Sequence, residues 1–276
     1  MDVLVKERSS SGFSPAMRQE DLRWKRTLDV LLILVALPFL IPLAVFVALL
    51  IRSVSDGPIL FRQERVGLRG RRFMCFKFRT MFVNAETTAH QGHLQQLMNS
   101  NAPMTKMDSK GDPRIIPFGV LLRASGLDEL PQLINVLRGE MSLVGPRPCI
   151  PYEYERYQPW QRERFNTVPG LTGLWQVSGK NKTTFTEMIQ LDIKYAREKS
   201  LWWDLKIILM TVPALVIQML ESRQARKRSA TEILVKPRYS GSTSAPYAFA
   251  RVPLVGAVHA SHGEDEWVRK ETKLNL

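Results

Sequence analysis

The chain is predicted to be an α/β, mostly helical, membrane-associated domain with one small β-hairpin, and three observations lead there. Residues 30–51, VLLILVALPFLIPLAVFVALLI, carry no charge. Two short apolar runs, 59–61 and 73–78, flank a stretch holding Gly67 and Gly70, the pattern of a hairpin with a long loop. Downstream, apolar residues recur at helical spacing twice, at Leu130, Leu133, Ile134 and Leu137 and at Phe185, Met188, Ile189 and Ala196.

The uncharged run comes first in the chain. As a straight helix it would extend about 33 Å, close to the ~30 Å of bilayer hydrocarbon. It is longer than the apolar core of a cleavable signal peptide, and no small-residue cleavage site follows it. Basic residues stand on both sides: Arg18, Arg23, Lys25 and Arg26 before, Arg52, Arg62, Arg65, Arg69, Arg71 and Arg72 after. The positive-inside rule therefore draws both ends to the cytoplasmic face. Pro38 and Pro42 lie mid-run, four residues apart, so their bends add on one helix face. A re-entrant helix hairpin over residues 23–52 is expected, with a single kinked spanning helix as the alternative, since membrane helices tolerate proline.

Residues 53–221 read as a catalytic domain on the cytoplasmic face. Its hairpin is followed by a polar stretch, 84–112, expected to form a short helix and a mobile loop. The 130–137 periodicity predicts a helix stopped by Gly139. Asp128 and Glu129 fall in its first turn, where Pro131 is tolerated. Two acids there suit the helix dipole, and Ser125 or Asp128 could cap it; the same pair could also carry chemistry. SLVGPRP sets Arg147 in a Gly145, Pro146, Pro148 loop, and PGLTGLWQVSGKN places Lys180 and Asn181 after a glycine, both suited to cradling phosphate. Asp192 falls on the apolar face of the 185–196 helix. A buried acid needs a partner or a proton, which leaves an arginine pairing and a role in the site both open.

Composition bounds the partners. The 276 residues suffice for one sizeable domain, and 39 Lys+Arg against 26 Asp+Glu leave a net charge of +13, which attracts polyanions. Cys75 and Cys149 are the only cysteines and have no metal-ligand spacing, so both are expected as core thiols of a reducing compartment. No helix-turn-helix or base-stacking motif accompanies the charge, and no nucleic-acid partner is expected.

KRTLDV, FKFRTM, LRASGLDELPQLINVLRGEMSLVGPRP, PGLTGLWQVSGKN and LDIKYAREKSLWWDLKIILMTVPALV, in that order over roughly residues 23–218, resemble the bacterial sugar transferase family, the monotopic phosphoglycosyl transferases. Larger members carry further N-terminal membrane helices, and only their catalytic part is resembled. The resemblance implies transfer of a sugar phosphate from a UDP-sugar to a polyprenyl phosphate, with release of UMP and ping-pong kinetics. It gives Asp128 the role of nucleophile, forming an aspartyl phosphosugar, and Glu129 that of ligand to Mg²⁺. Phosphate binding falls to Arg147, Lys77 and Arg123, with Arg79, and Asp192 is a further acid of the site. The family's serine before the helix-breaking proline is here Ile41. A non-enzymatic scaffold of a polysaccharide assembly complex is the competing reading, against which the intact acid pair counts.

The last apolar stretch, LWWDLKIILMTVPALVIQML, has Trp202 and Trp203 at one end, Pro213 inside, and Arg223, Arg226, Lys227 and Arg228 beyond it. Its uncharged run is short for a crossing, so an interfacial helix is expected, against anionic lipids. Residues 1–22 and the tail within 222–276, beyond its basic stretch, are expected to be flexible. The bacterial inner membrane is the expected location, and a homodimer and downstream glycosyltransferases are the further partners expected.

Overall fold

The computed structural model describes residues 15–83, 88–100, 102–104, 112–180 and 182–235. A 40-residue helix, α1 (Pro15–Val54), holds the apolar run and keeps helical conformation through both Pro38 and Pro42. It therefore starts before the predicted segment, and no non-helical break separates two arms. β1 (Leu60–Val66) and β2 (Arg72–Phe78) form the predicted antiparallel hairpin, with Leu60 opposite Phe78 and Val66 opposite Arg72. β1 outruns its apolar run because Arg62 and Glu64 face water while Arg65 and Val66 are buried. α2 (Thr88–Asn99) is the short helix expected after the hairpin; the loop expected behind it falls largely outside the described residues.

The chain then builds α3 (Gly119–Ser125), a 3-10 turn (Leu127–Gln132), α4 (Leu133–Leu137), β3 (Ser142–Val144), α5 (Pro151–Glu155), a 3-10 segment (Pro159–Asn166), β4 (Gly170–Thr172), α6 (Leu174–Val177), α7 (Phe185–Glu198) and α8 (Leu201–Val235). β3 and β4 pair in parallel, Ser142 opposite Gly170 and Val144 opposite Thr172. Their loops cross so closely that a Cβ on Gly170 would lie 2.0 Å from the Gly145 nitrogen, so only glycine fits. One buried cluster gathers Val66, Cys149, Tyr157, Phe165, Trp175 and residues of α7. Both cysteines are buried and free.

The helix predicted over 130–137 is two elements, and its apolar stripe is split. Leu130 and Leu133 pack against buried clusters, and Gln132, Asn135 and Val136 are buried, while Ile134 and Leu137 are exposed. Asn135 accounts for the turn of the second half: its Oδ1 accepts from Phe76 N–H at 3.1 Å and its Nδ2 donates to Met74 C=O at 2.7 Å. The side chain thus pairs with the free edge of β2 as a neighbouring strand would, and Ile134 and Leu137 are left facing outward. Capping also differs from expectation. Gly126, at φ +75°, leads into the turn, and Ser125 Oγ donates back to Leu121 C=O instead.

Two helices, α1 over Arg23–Val54 and α8 over Leu201–Gln224, are long and apolar enough to cross a membrane. About half of their apolar side chains lie exposed, among them Val35, Phe39, Leu209 and Val212, joined by Phe118 just before α3 and Leu121 within it. An exposed apolar surface of this extent marks a face for contact with lipid or another protein. α8 also has an inner face: Asp204 and Ile207 are buried, Thr211 Oγ1 lies 2.8 Å from Thr172 Oγ1, and Gln218 bonds to α3. Helical spacing puts all four on one side.

Candidate active site

The acid pair sits where the hairpin meets the 3-10 turn. Leu127 and Leu130 anchor that turn in a cluster with Phe78, Leu122, Val47 and Ile51, and Asp128 is buried between them. The opposite strand brings Lys77, whose Nζ donates to Glu129 Oε1 at 2.7 Å. Burial alone would raise the Glu129 carboxyl, but Lys77, then Lys180 and Arg147, bring it down to about 2. Glu129 is thus an anion at any physiological pH. Lys77 is in contact with it, and the charges of Lys180 and Arg147 reach it from further away.

Arg147 rests on a loop whose main chain is held from several directions. Gly145 N–H donates to Thr172 C=O at 2.8 Å and Gly170 N–H to Pro146 C=O at 2.9 Å. Arg164 donates to Arg147 C=O at 2.8 Å, and Arg65 to Pro148 C=O at 3.2 Å. Just upstream, Asp29 of α1 accepts from Leu143 N–H at 3.0 Å and Ser142 Oγ at 3.1 Å. The backbone is pinned while the Arg147 side chain stays exposed, the arrangement for a guanidinium that must meet an arriving anion.

Asp192 takes the arginine pairing that its sequence left open. It lies 2.5 Å from Arg164, both side chains almost fully buried. Burial pushes its carboxyl up to about 6, against the pull of Arg164 and then Arg147. Through Arg164 it supports the Arg147 carbonyl, so it acts on the loop from behind. Lys180 donates to Gln218 Oε1 at 3.1 Å, and Gln218 Nε2 donates to the carbonyls of Arg123 and Ala124. One amide therefore ties the Lys180 loop to the last turn of α3, ahead of the acid pair. Arg79 is turned to the chain: it donates to Pro58 C=O at 2.6 Å, Ser55 Oγ at 2.8 Å and Ser55 C=O at 3.0 Å, closing the exit from α1. Asn181 lies outside the described residues.

Sequence reasoning missed Asn135, Arg164, Gln218, Arg65 and a buried network in which Lys25 meets Asp204 and, at 2.9 Å, Tyr195 Oη. Lys25 and Asp29 did carry a signal, since two charges four residues apart at the mouth of an apolar run have to be matched. Arg164 carried none, in a stretch where arginines are plentiful.

Comparison with known proteins identifies relatives of this chain. The bacterial sugar transferase family model matches residues 20–218. A UDP-glucose:undecaprenyl-phosphate glucose-1-phosphate transferase of Caulobacter vibrioides is 43% identical over 204 residues, 71% of this chain and 70% of that protein. The exopolysaccharide production protein ExoY of Sinorhizobium fredii is 39% identical over 198 residues, 70% of this chain and 85% of that protein. The galactosyl transferase CpsE of Streptococcus agalactiae is 42% identical over 194 residues, 70% of this chain but only 42% of that protein. The chain thus spans less than half the length of some of the relatives it matches.

Proposed function

The chain belongs to the bacterial sugar transferase family, and from that membership and the site's geometry we propose that it moves a sugar-1-phosphate from a UDP-sugar to a polyprenyl phosphate, releasing UMP. The observation that carries this reading is a buried acid beside an ionised one, ringed by Lys77, Arg147 and Lys180. A second acid so surrounded is a place for phosphate chemistry, where positioning and charge stabilisation do most of the work.

In the first half-reaction an Asp128 oxygen bonds to the β-phosphorus and the bond from that phosphorus to the bridging oxygen breaks, leaving UMP with the electron pair. In the second, a polyprenyl-phosphate oxygen displaces Asp128, which returns as carboxylate. Lys77, Arg147 and Lys180 lower the cost of bringing an anion to a carboxylate. Mg²⁺ commonly takes one or two carboxylates together with substrate phosphate oxygens, and the adjacent Asp128 and Glu129 fit that donor set. Glu129 would hold the ion, which when bound supplies neutralisation of the diphosphate.

The same reading places the domain on the cytoplasmic face of the bacterial inner membrane with α1 re-entrant. Contacts at both ends of α1 support it. Ile33 shares a cluster with Cys75, and Val47 one with Phe78. A segment whose two flanks rest on one body does not carry that body across a bilayer. The inner face of α8, running from Asp204 to Gln218 along the domain, likewise suits an in-plane helix.

The test is direct. Detergent-extracted protein with polyprenyl phosphate, Mg²⁺ and a panel of UDP-sugars releases UMP with one of them, and Asp128→Asn abolishes release. Absence of UMP with every sugar, or full activity in the variant, refutes the mechanism.

A further inference from the structure

Arg65 is a buried arginine that makes no salt bridge among the described residues. It is 8% exposed, and its two hydrogen bonds go to neutral oxygens, Pro148 C=O at 3.2 Å and Gln63 Oε1 at 2.6 Å. Three of the five N–H donors of a guanidinium are left over. Other buried cations are treated differently. Arg164 has Asp192 and Lys25 has Asp204, while Arg79, also without a carboxylate, is wrapped by four oxygen acceptors. After burial, the largest charge effect on Arg65 is that of Arg147, of the same sign, and the two together disfavour the cation against a smaller opposing pull from the Glu153 carboxylate, which makes no salt bridge to it. Keeping a buried guanidinium in the field of another without a bonded anion is costly, and the cost is recovered when an anion binds.

We propose that Arg65 and Arg147 form an anion subsite that receives the phosphate of the departing nucleoside monophosphate. The inference rests on the transferase reading for the identity of that anion. Hairpin register gives the direction. Residues 61, 63 and 65 pair with 77, 75 and 73, so Arg65 and Lys77 lie on one face, four strand steps or about 13 Å apart. Arg65 donates to the carbonyl of Pro148, the residue after Arg147, so the Arg147 loop meets the hairpin at the Arg65 end, and the Arg147 charge also reaches Glu129.

The ends differ in what lies behind them. Beyond Lys77, Phe78 packs with Val47 and Ile51 of α1, and Arg79 holds Ser55 at the exit of that helix. Beyond Arg65, Val66 and Cys149 enter a cluster to which neither α1 nor α8 contributes. A lipid-borne phosphate is expected from the first side, and a water-soluble product leaves by the second. When the bond between the β-phosphorus and the bridging oxygen breaks, that oxygen becomes terminal on UMP and the leaving phosphate gains one negative charge. Donors that meet developing charge stabilise the step, and the unused Arg65 donors would do so for the phosphate of UMP.

The experiment measures binding to the full-length protein in detergent by isothermal titration, with UMP, uridine, inorganic pyrophosphate and a short-chain polyprenyl phosphate as probes. Arg65→Gln is expected to weaken UMP by about tenfold or more, in line with the loss of charge-assisted hydrogen bonds. Arg65→Lys, which keeps the charge without the fork, should weaken it less, and uridine should bind all three proteins alike. Unchanged UMP affinity in both variants would overturn the proposal and leave the transferase reading intact. So would a parallel loss of uridine, which would mark Arg65 as a support of the loop only. A selective loss of the polyprenyl phosphate would overturn the choice of occupant. Pyrophosphate binding that depends on Arg65, with no binding of UMP to the wild type, would keep the subsite and sink the nucleotide reading; binding of neither would sink both.

Discussion

Asn135→Ala tests how the catalytic turn is held to the hairpin. Asn135 is fully buried, and its side chain is the partner of Phe76 N–H and Met74 C=O on the outer edge of β2. Alanine leaves both backbone groups inside the protein without a partner. Each such group costs roughly 1–3 kcal/mol, so the loss is about 2–6 kcal/mol. The third bond, to Glu140, adds little, because that carboxylate can turn to water. For a domain of about 200 residues, a kcal/mol moves Tm by roughly 2–4 °C, giving a fall of about 4–24 °C. Differential scanning fluorimetry in detergent reads the shift, and hydrogen exchange with mass spectrometry reads its site: the Phe76 amide should lose protection while the β1 amides keep theirs. UMP release should also fall, because Lys77 follows Phe76 and must stay against Glu129. A Tm within about 1 °C of wild type, with Phe76 still protected, would refute the claim that this side chain carries the junction.

Three further outcomes are expected. Asp192, an acid whose carboxyl burial lifts to about 6, is charged above that pH and neutral below it, so its ion pair with Arg164 is present at pH 7.5 and fades on acidification. UMP release should therefore show an acid limb near pH 6, and Asp192→Asn should remove the limb while lowering the plateau; a limb that persists in the variant assigns it elsewhere. Gly170→Ala drives a methyl into the Gly145 backbone, and the protein should fail to accumulate as folded, monodisperse material, whereas the exposed Gly92→Ala should express normally. Thr27→Cys and Asp56→Cys place thiols on exposed positions at the two flanks of α1's apolar run, against a background of buried native cysteines. Both should react with an impermeant maleimide in inside-out vesicles and neither in intact spheroplasts; one flank reacting from outside rules out the re-entrant arrangement.

Periodicity and turn chemistry made the hairpin, α7 and the two membrane-facing helices legible, since each rests on a local pattern. The acid pair could be singled out because LDEL and GPRP occur together. Periodicity was half right at 130–137: Leu130 and Leu133 pack against buried clusters, whereas Ile134 and Leu137 are exposed. Asn135, a polar residue inside the run, is what turns the second half, because its side chain bonds to the edge of β2. The supports of the GPRP loop were illegible for another reason. Arg65, Arg164 and Asp29 reach it from 82, 17 and 118 positions away in sequence, and no spacing rule links them.

Those supports tie membrane insertion to the site. Lys25 and Asp29, one turn apart at the head of the apolar run, are both buried: Lys25 against Asp204 and Tyr195, Asp29 against Ser142 and Leu143 at the start of the Arg147 loop. Sliding α1 along its axis by one turn, about 5.4 Å, would strand both charges away from their partners. Burying an unpaired charge costs several kcal/mol, more than the fraction of a kcal/mol per Å at which a bilayer tolerates mismatch. The bilayer is then the softer of the two and adapts to the helix. On the proposed placement, the depth of α1 and the position of Arg147 are therefore one variable, set by the protein, which would fix the height above the lipid at which a phosphate is met.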